Sequence, residues 1–240
     1  MGLYTMIGFF QKGGLFMYPI LLVFVAGMAI AIERWIQLNR VRIVNRRVWN
    51  TLQPVLAQGN FDKAREIISK DKSTVAQMLG MGLARQGLVR RREDIEIAME
   101  ESLMEIIPQL EKRTPYVALL SNIATLLGLL GTIMGLIEAF TAVANANPAE
   151  KADLLSASIS VAMNTTAFGL MSAIPLLLLH AKLTSTTGQI VDSLEMASVK
   201  SLNCISDFRR RQEAKSEAPG AAPDTAAARR TRPAPAPAGA

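Results

Sequence analysis

Three stretches of this chain carry no charged residue and are long enough to cross a lipid bilayer. Gly13–Ile32 has 20 residues, Thr114–Ile137 has 24 and Leu154–Leu179 has 26. At about 1.5 Å per residue each, as a helix, spans a hydrocarbon core of roughly 30 Å. Such runs do not fit the alternating polar surface of a water-soluble fold, so the expected fold class is an all-α membrane protein with three transmembrane helices. No run of alternating polar and apolar residues suggests a strand. The first run has only Lys12 as a basic residue ahead of it and ends in Glu33-Arg34-Trp35 rather than at a small-residue cleavage site. It reads as a retained anchor, not a cleaved signal.

Basic residues set the expected orientation. Arg34, Arg40, Arg42, Arg46 and Arg47 follow the first run, against Lys12 before it. The segment between the second and third runs holds one lysine, Lys151, beside Glu150 and Asp153, whereas Lys182, Lys200 and Arg209 to Arg211 follow the third. The positive-inside rule then puts the N-terminus and the short loop 142–153 outside, and residues 36–113 and the C-terminus in the cytoplasm. The net charge of +6 is spread over these juxtamembrane positions, where topology and anionic headgroups account for it. It does not indicate nucleic-acid binding. Cys204 is the single cysteine, so no intrachain disulfide forms.

The expected organisation follows in order. Residues 1–12 form an amphipathic lead and 13–35 the first span. Residues 36–113 form a helical region with apolar residues at helical spacing in Val48–Gln58, Phe61–Ser69, Thr74–Gln86 and Arg92–Arg113, and Gly59-Asn60 as a break. The last of these is expected to run on into the second span, 114–141, as one long helix that Pro108 and Pro115 bend but do not end. After loop 142–153 come the third span, 154–181, and a helix over 182–208. From Arg209 onward 16 of 32 residues are Ala or Pro, and 209–240 is expected to be disordered.

The spans carry small and hydroxylated residues along particular stripes. Thr125 and Thr132 stand seven apart in the second span, with Gly128, Gly131 and Gly135 beside them. In the third, Ala162, Thr166, Gly169 and Ala173 follow helical spacing, with Asn164 and Thr165 nearby. Small residues allow two helices to approach closely, and packing alone explains one stripe. Two stripes, each with a threonine at mid-membrane depth, favour a polar lumen lined by Thr125, Thr132, Thr165, Thr166 and Asn164. Hydroxyls there bond water or offer oxygens to a cation without the cost of a fixed buried charge. Glu138, at the outer end of the second span, is a candidate ion entrance, although an interfacial residue in water reads the same. His180 falls at a membrane edge, and Cys204 reads as inert.

No carboxylate or basic residue lies inside the three uncharged runs that form the middle of the spans, so a proton path there needs a titrating group from a partner. No phosphate-binding glycine loop, metal-ligand cluster or nucleophile–base pair is present, so no catalytic residue, metal or organic cofactor is expected and an enzyme is disfavoured.

Taken together, Tyr18-Pro19-Ile20, Ile32-Glu33-Arg34-Trp35, Gly128-Leu129-Leu130-Gly131-Thr132-Ile133-Met134-Gly135 and Thr165-Thr166-Ala167-Phe168-Gly169-Leu170 through Ala173-Ile174-Pro175 resemble the MotA/TolQ/ExbB proton-channel family, its ExbB-like branch most. The resemblance covers roughly residues 10–208. It implies a bacterial inner-membrane ring of five subunits around two ExbD- or TolR-like single-span partners. An aspartate of the partner would carry the proton past Thr132 and Thr166, with proton or sodium as the coupling ion, and a TonB- or TolA-like transducer would take up the motion. Many members carry a glutamate five residues before the third-span threonine, where this chain has Val161. A TolQ-like envelope motor, a gliding or secretion motor, and a non-conducting scaffold remain the alternative readings.

Overall fold

The computed structural model describes residues 14–86, 91–144 and 146–217; the lead at 1–12 and residues 218–240 of the tail lie outside them. Among the described residues six helices follow in chain order: α1 (Met17–Ala57), α2 (Phe61–Ser69), α3 (Thr74–Arg85), α4 (Arg92–Glu111), α5 (Thr114–Ala144) and α6 (Lys151–Glu217). No strand occurs among the described residues. Among the described residues three helical stretches are long and apolar enough to cross a membrane: α1, α4–α5 taken together, and α6.

Two of these helices are longer than the apolar runs they contain. α1 continues unbroken from the first span to Ala57, because nothing between Trp35 and Pro54 removes a backbone donor or favours a turn. Gly59, at φ +74°, then reverses the chain. Such a backbone suits glycine, and a side chain here would also run into the Phe208 ring. α6 runs 67 residues without interruption through Pro175, and its last residues, 209–217, are helical where the sequence suggested the start of a disordered tail. The charged Arg209–Lys215 stretch has good helix formers and extends an established helix, which needs no new nucleation.

The expected single helix through 92–141 is instead two. α4 stops at Glu111, Arg113 takes φ +66°, and α5 starts at Thr114. Pro115 explains the position. In a continuous helix its ring would meet the carbonyl of Glu111, whereas in the first turn of a new helix proline is tolerated.

The polar half of the molecule packs α2, α3 and α4 against the distal halves of α1 and α6. Leu52, Leu79, Met99, Ile106 and Leu194 are in one continuous apolar core there. Side chains close the starts of α2 and α3 and the end of α3. Asn60 Oδ1 accepts from Lys63 N–H at 3.2 Å, and Ser73 Oγ from Ala76 N–H at 3.3 Å. The Arg65 guanidinium donates to the carbonyls of Leu83 (2.9 and 3.1 Å) and Gln86 (2.8 Å), capping the end of α3. Buried Asn45 of α1 holds the start of α3 through Thr74 Oγ1 at 2.6 Å.

The joint between α4 and α5 is clasped by the Glu33-Arg34 pair of α1. Arg34 is almost wholly buried, donates to the carbonyl of Leu110 near the end of α4, and is braced by Gln37 Oε1 at 2.7 Å. Arg113 Nη1 donates to Glu33 Oε1 at 2.6 Å. Replacing Arg34 with Met keeps the length but leaves the Leu110 carbonyl unpaired. We expect a loss of about 1.5–3 kcal/mol, the usual worth of a hydrogen bond to a charged group, read as a lower melting temperature in detergent. Faster tryptic cutting at Lys112 and Arg113 should accompany it.

Candidate functional site

The sequence motifs of the second and third spans meet along one antiparallel seam between α5 and α6. At its centre the two backbones touch. A Cβ on Gly169 would lie 2.9 Å from Ala124 O and 2.9 Å from Gly128 Cα, and one on Gly128 would lie 3.1 Å from Gly169 Cα. Backbone atoms cannot swing aside, so no side chain fits at Gly169, and one at Gly128 would need the two backbones to part by a few tenths of an ångström. One turn further Gly131 faces the methyl of Thr165, and two turns further a Cβ on Gly135 would press on Ala162 Cβ at 2.8 Å. Ala173 is buried at the other end of the same seam, where its carbonyl accepts from Ser121 Oγ at 2.8 Å. Gly128, Gly131, Gly135, Ala162, Gly169 and Ala173 thus share one contact.

The close approach brings Thr132 and Thr166 together. Their hydroxyls bond to each other across the seam, and both reach the carbonyl of Gly128, Thr166 Oγ1 at 2.9 Å and Thr132 Oγ1 at 3.2 Å. Both residues stay half-buried, so the pair is reachable from outside the protomer. A hydroxyl has one proton to give and two lone pairs. With Thr166 donating to Gly128 and Thr132 donating to Thr166, the lone pairs of Thr132 remain open to a water or a protonated acid. Such a pair can pass a hydrogen bond along without carrying charge.

The other hydroxyls are placed differently. Thr125, two turns from Thr132 on α5, is half-buried and donates to Ser121 O at 3.2 Å. Thr165 is buried against Gly131 and donates to Val161 O at 3.0 Å. Asn164 precedes Thr166 by two residues, which turns it towards the opposite side of α6, and no hydrogen bond joins it to the pair. Glu138 is exposed near the end of α5. Val161, the position at which the resemblance suggested a glutamate, lies against Gly14 just ahead of α1, its Cγ1 3.3 Å from where a Cβ would stand. His180 is half-buried on α6. Burial, then the Asp207 carboxylate, push the Cys204 thiol above its usual range.

Sequence reasoning missed two groups. Ser121 extends the Thr125–Gly128–Thr132 stripe by one turn, and following that periodicity would have found it. The Glu33-Arg34 clasp left no such signal, because its partners, Leu110 and Arg113, are about 80 residues away in the chain. No group of three or more potential metal ligands occurs among the described residues.

The glycine contacts give a paired prediction on one helix. Gly169→Ala should destabilise the protein by about 1–3 kcal/mol, the usual cost of overpacking. Gly188→Ala, with nothing within 4 Å of the new Cβ, should be neutral or stabilising by up to about 1 kcal/mol through helix propensity. Unfolding midpoints of the two variants in the same detergent check this.

A seam of this kind, in a three-span helical protein, has relatives. The sequence model of the MotA/TolQ/ExbB proton channel family matches residues 70–196. A protein designated a biopolymer transport ExbB homolog in Methanothermobacter thermautotrophicus is 26% identical over 194 residues, covering 80% of this chain and 67% of its own. A protein designated ExbB-like 1 in Synechocystis is 29% identical over 189 residues, 76% of this chain and 72% of its own. The Tol-Pal system protein TolQ of Haemophilus influenzae is 33% identical over 86 residues, about a third of each chain. The family match takes in α3 to α6 and with them the whole Gly128–Gly169 seam and its threonine pair, and on that ground the chain belongs to the MotA/TolQ/ExbB proton channel family.

Proposed function

We propose that this protein is the ring-forming, ion-conducting subunit of an inner-membrane motor of the ExbB type. The observation that carries this reading is the Thr132–Thr166 hydroxyl pair, held beside the Gly128–Gly169 backbone contact between two apolar helices. Copies assemble, five in the family's manner, with α5 and α6 facing a central lumen. The N-terminus and the loop between α5 and α6 lie in the periplasm, and the polar helical half lies in the cytoplasm, as the arginine distribution favours.

The uncharged runs within the spans hold no titratable carboxylate, so the proton carrier is a carboxylate on a single-span ExbD- or TolR-like partner in the lumen. Thr132 offers lone pairs to that group when it is protonated. Loss of the proton leaves an acceptor-only carboxylate in a low-dielectric site facing lone pairs, which favours its movement towards water, where it is protonated again before it meets the next hydroxyl pair. Repeated around the ring, this converts proton flow into motion, taken up by a TonB-like transducer that energises outer-membrane import. Proton is the coupling ion in this reading. The hydroxyl lining also suits sodium, and flux measured in each gradient alone separates the two. The TolQ match supports a second reading, in which the same motor serves envelope integrity through TolR- and TolA-like partners.

Thr132→Val with Thr166→Val removes both hydroxyls at nearly constant volume. The variant should insert and assemble but lose ion flux with its partner in proteoliposomes, while Thr132→Ser with Thr166→Ser keeps most of it. Full flux in the valine variant would contradict the lumen and favour a scaffold.

A further inference from the structure

Outside the membrane, two exposed helix faces carry opposite charge around an apolar centre. On α1, Ile36 and Ile43 are 63% and 60% exposed. Arg42 and Arg46 flank them on one side, Arg40 and Arg47 on the other, all exposed. On α4, Ile97 and Met104 are 48% and 72% exposed. Glu96 and Glu100 lie along one flank, Glu101 and Glu105 along the other. Among the described residues of the protomer, only Glu101 of these eight charged groups forms an ion pair, with Arg85 at 3.5 Å.

The two faces also stand at the same height. The Arg34–Leu110 hydrogen bond marks a common level. From there α1 runs away from the membrane while α4 runs towards it, so residues equally far from this pair lie at one depth. Ile43 and Glu101, each nine residues away, are both roughly 13 Å from that level, at about 1.5 Å per residue. Arg40 matches Met104, and Arg47 matches Ile97.

Rotation about an axis along the membrane normal keeps every copy at the same depth, so the two faces can meet only between copies, at matched heights. We infer that the Ile36–Ile43 face of α1 docks on the Ile97–Met104 face of α4 in the neighbouring copy, forming a head-to-tail contact outside the membrane. The contact is heterologous, the type that closes into a ring. Apolar centres flanked by opposite charges fix register and exclude the wrong pairing of like faces. The groove beside Ile36 and Ile43, about 390 Å³ and lined also by Trp35, Asn39, Arg40 and Val44, accommodates a side chain of the size of Met104. This inference rests on the ring reading above and adds which surfaces build the ring.

The test uses the full chain in its native membranes. With Cys204→Ser as background, Ile43→Cys and Glu101→Cys are placed in the same chain and oxidised, with each single cysteine as control. A ladder of cross-linked species from the double variant alone is the expected result. Glu100→Lys with Glu105→Lys should lower the oligomer's resistance to detergent severalfold, and adding Arg40→Glu with Arg47→Glu should restore it. An oligomeric wild type, seen by native mass spectrometry, that yields no Ile43→Cys/Glu101→Cys link would overturn this contact and leave the ring reading standing. A monomeric wild type would overturn both. Charge reversal without rescue, and without a link, would mean that lipid headgroups hold the arginines instead.

Discussion

The contact between Gly128 and Gly169 is the constraint on which the rest of this protein depends. Lipid provides no hydrophobic drive for helices to associate, so α5 and α6 are held by van der Waals contact and by hydrogen bonds that close approach makes possible. Two missing side chains let the backbones touch. That distance in turn allows Ser121 to reach Ala173 O, and Thr132 and Thr166 to reach each other and Gly128 O. A single methyl on either glycine would separate the strip of hydroxyls and leave polar groups unpaired in a medium that penalises them. Packing and chemistry share the same few atoms here.

A second link joins the seam to the polar half. α6 is one rigid rod across both, and the Glu33-Arg34 clasp ties the α4–α5 joint to α1 at the edge of the membrane. The end of α4 is therefore held by a buried charge rather than by a flexible loop. Arg65 repeats the device at the end of α3. Both arginines satisfy helix carbonyls that would otherwise have no intrahelical donor.

Much of this was legible from periodicity. The three apolar runs and the small-residue stripes report short-range rules, residues three and four apart facing one neighbour, and the six glycine and alanine positions read as packing residues do meet along one seam. The joint at Lys112–Arg113 was not legible, because Pro115 is compatible with both a bent helix and a first-turn proline. Only the positive φ of Arg113 decides between them. The helical extension to Glu217 was hidden by alanine and proline further along, which dominate the composition of the tail without governing its first residues. Thr165 and Thr166 show the limit most clearly. They are adjacent and of one type, yet one fills the space opposite Gly131 and the other faces the hydroxyl of Thr132. Which does which depends on the rotation of α6 about its axis, a quantity fixed by the tertiary contact and not by residue type.

The central claim is that the hydroxyl seam works on a carboxylate it does not itself possess. Isolating the protein from its native membranes in mild detergent and identifying what accompanies it tests this most directly. The account predicts a single-span protein with an Asp or Glu inside its span, at substoichiometric amount relative to this chain. A pure oligomer with no such partner would contradict it, because no group in the membrane would then be able to carry the proton.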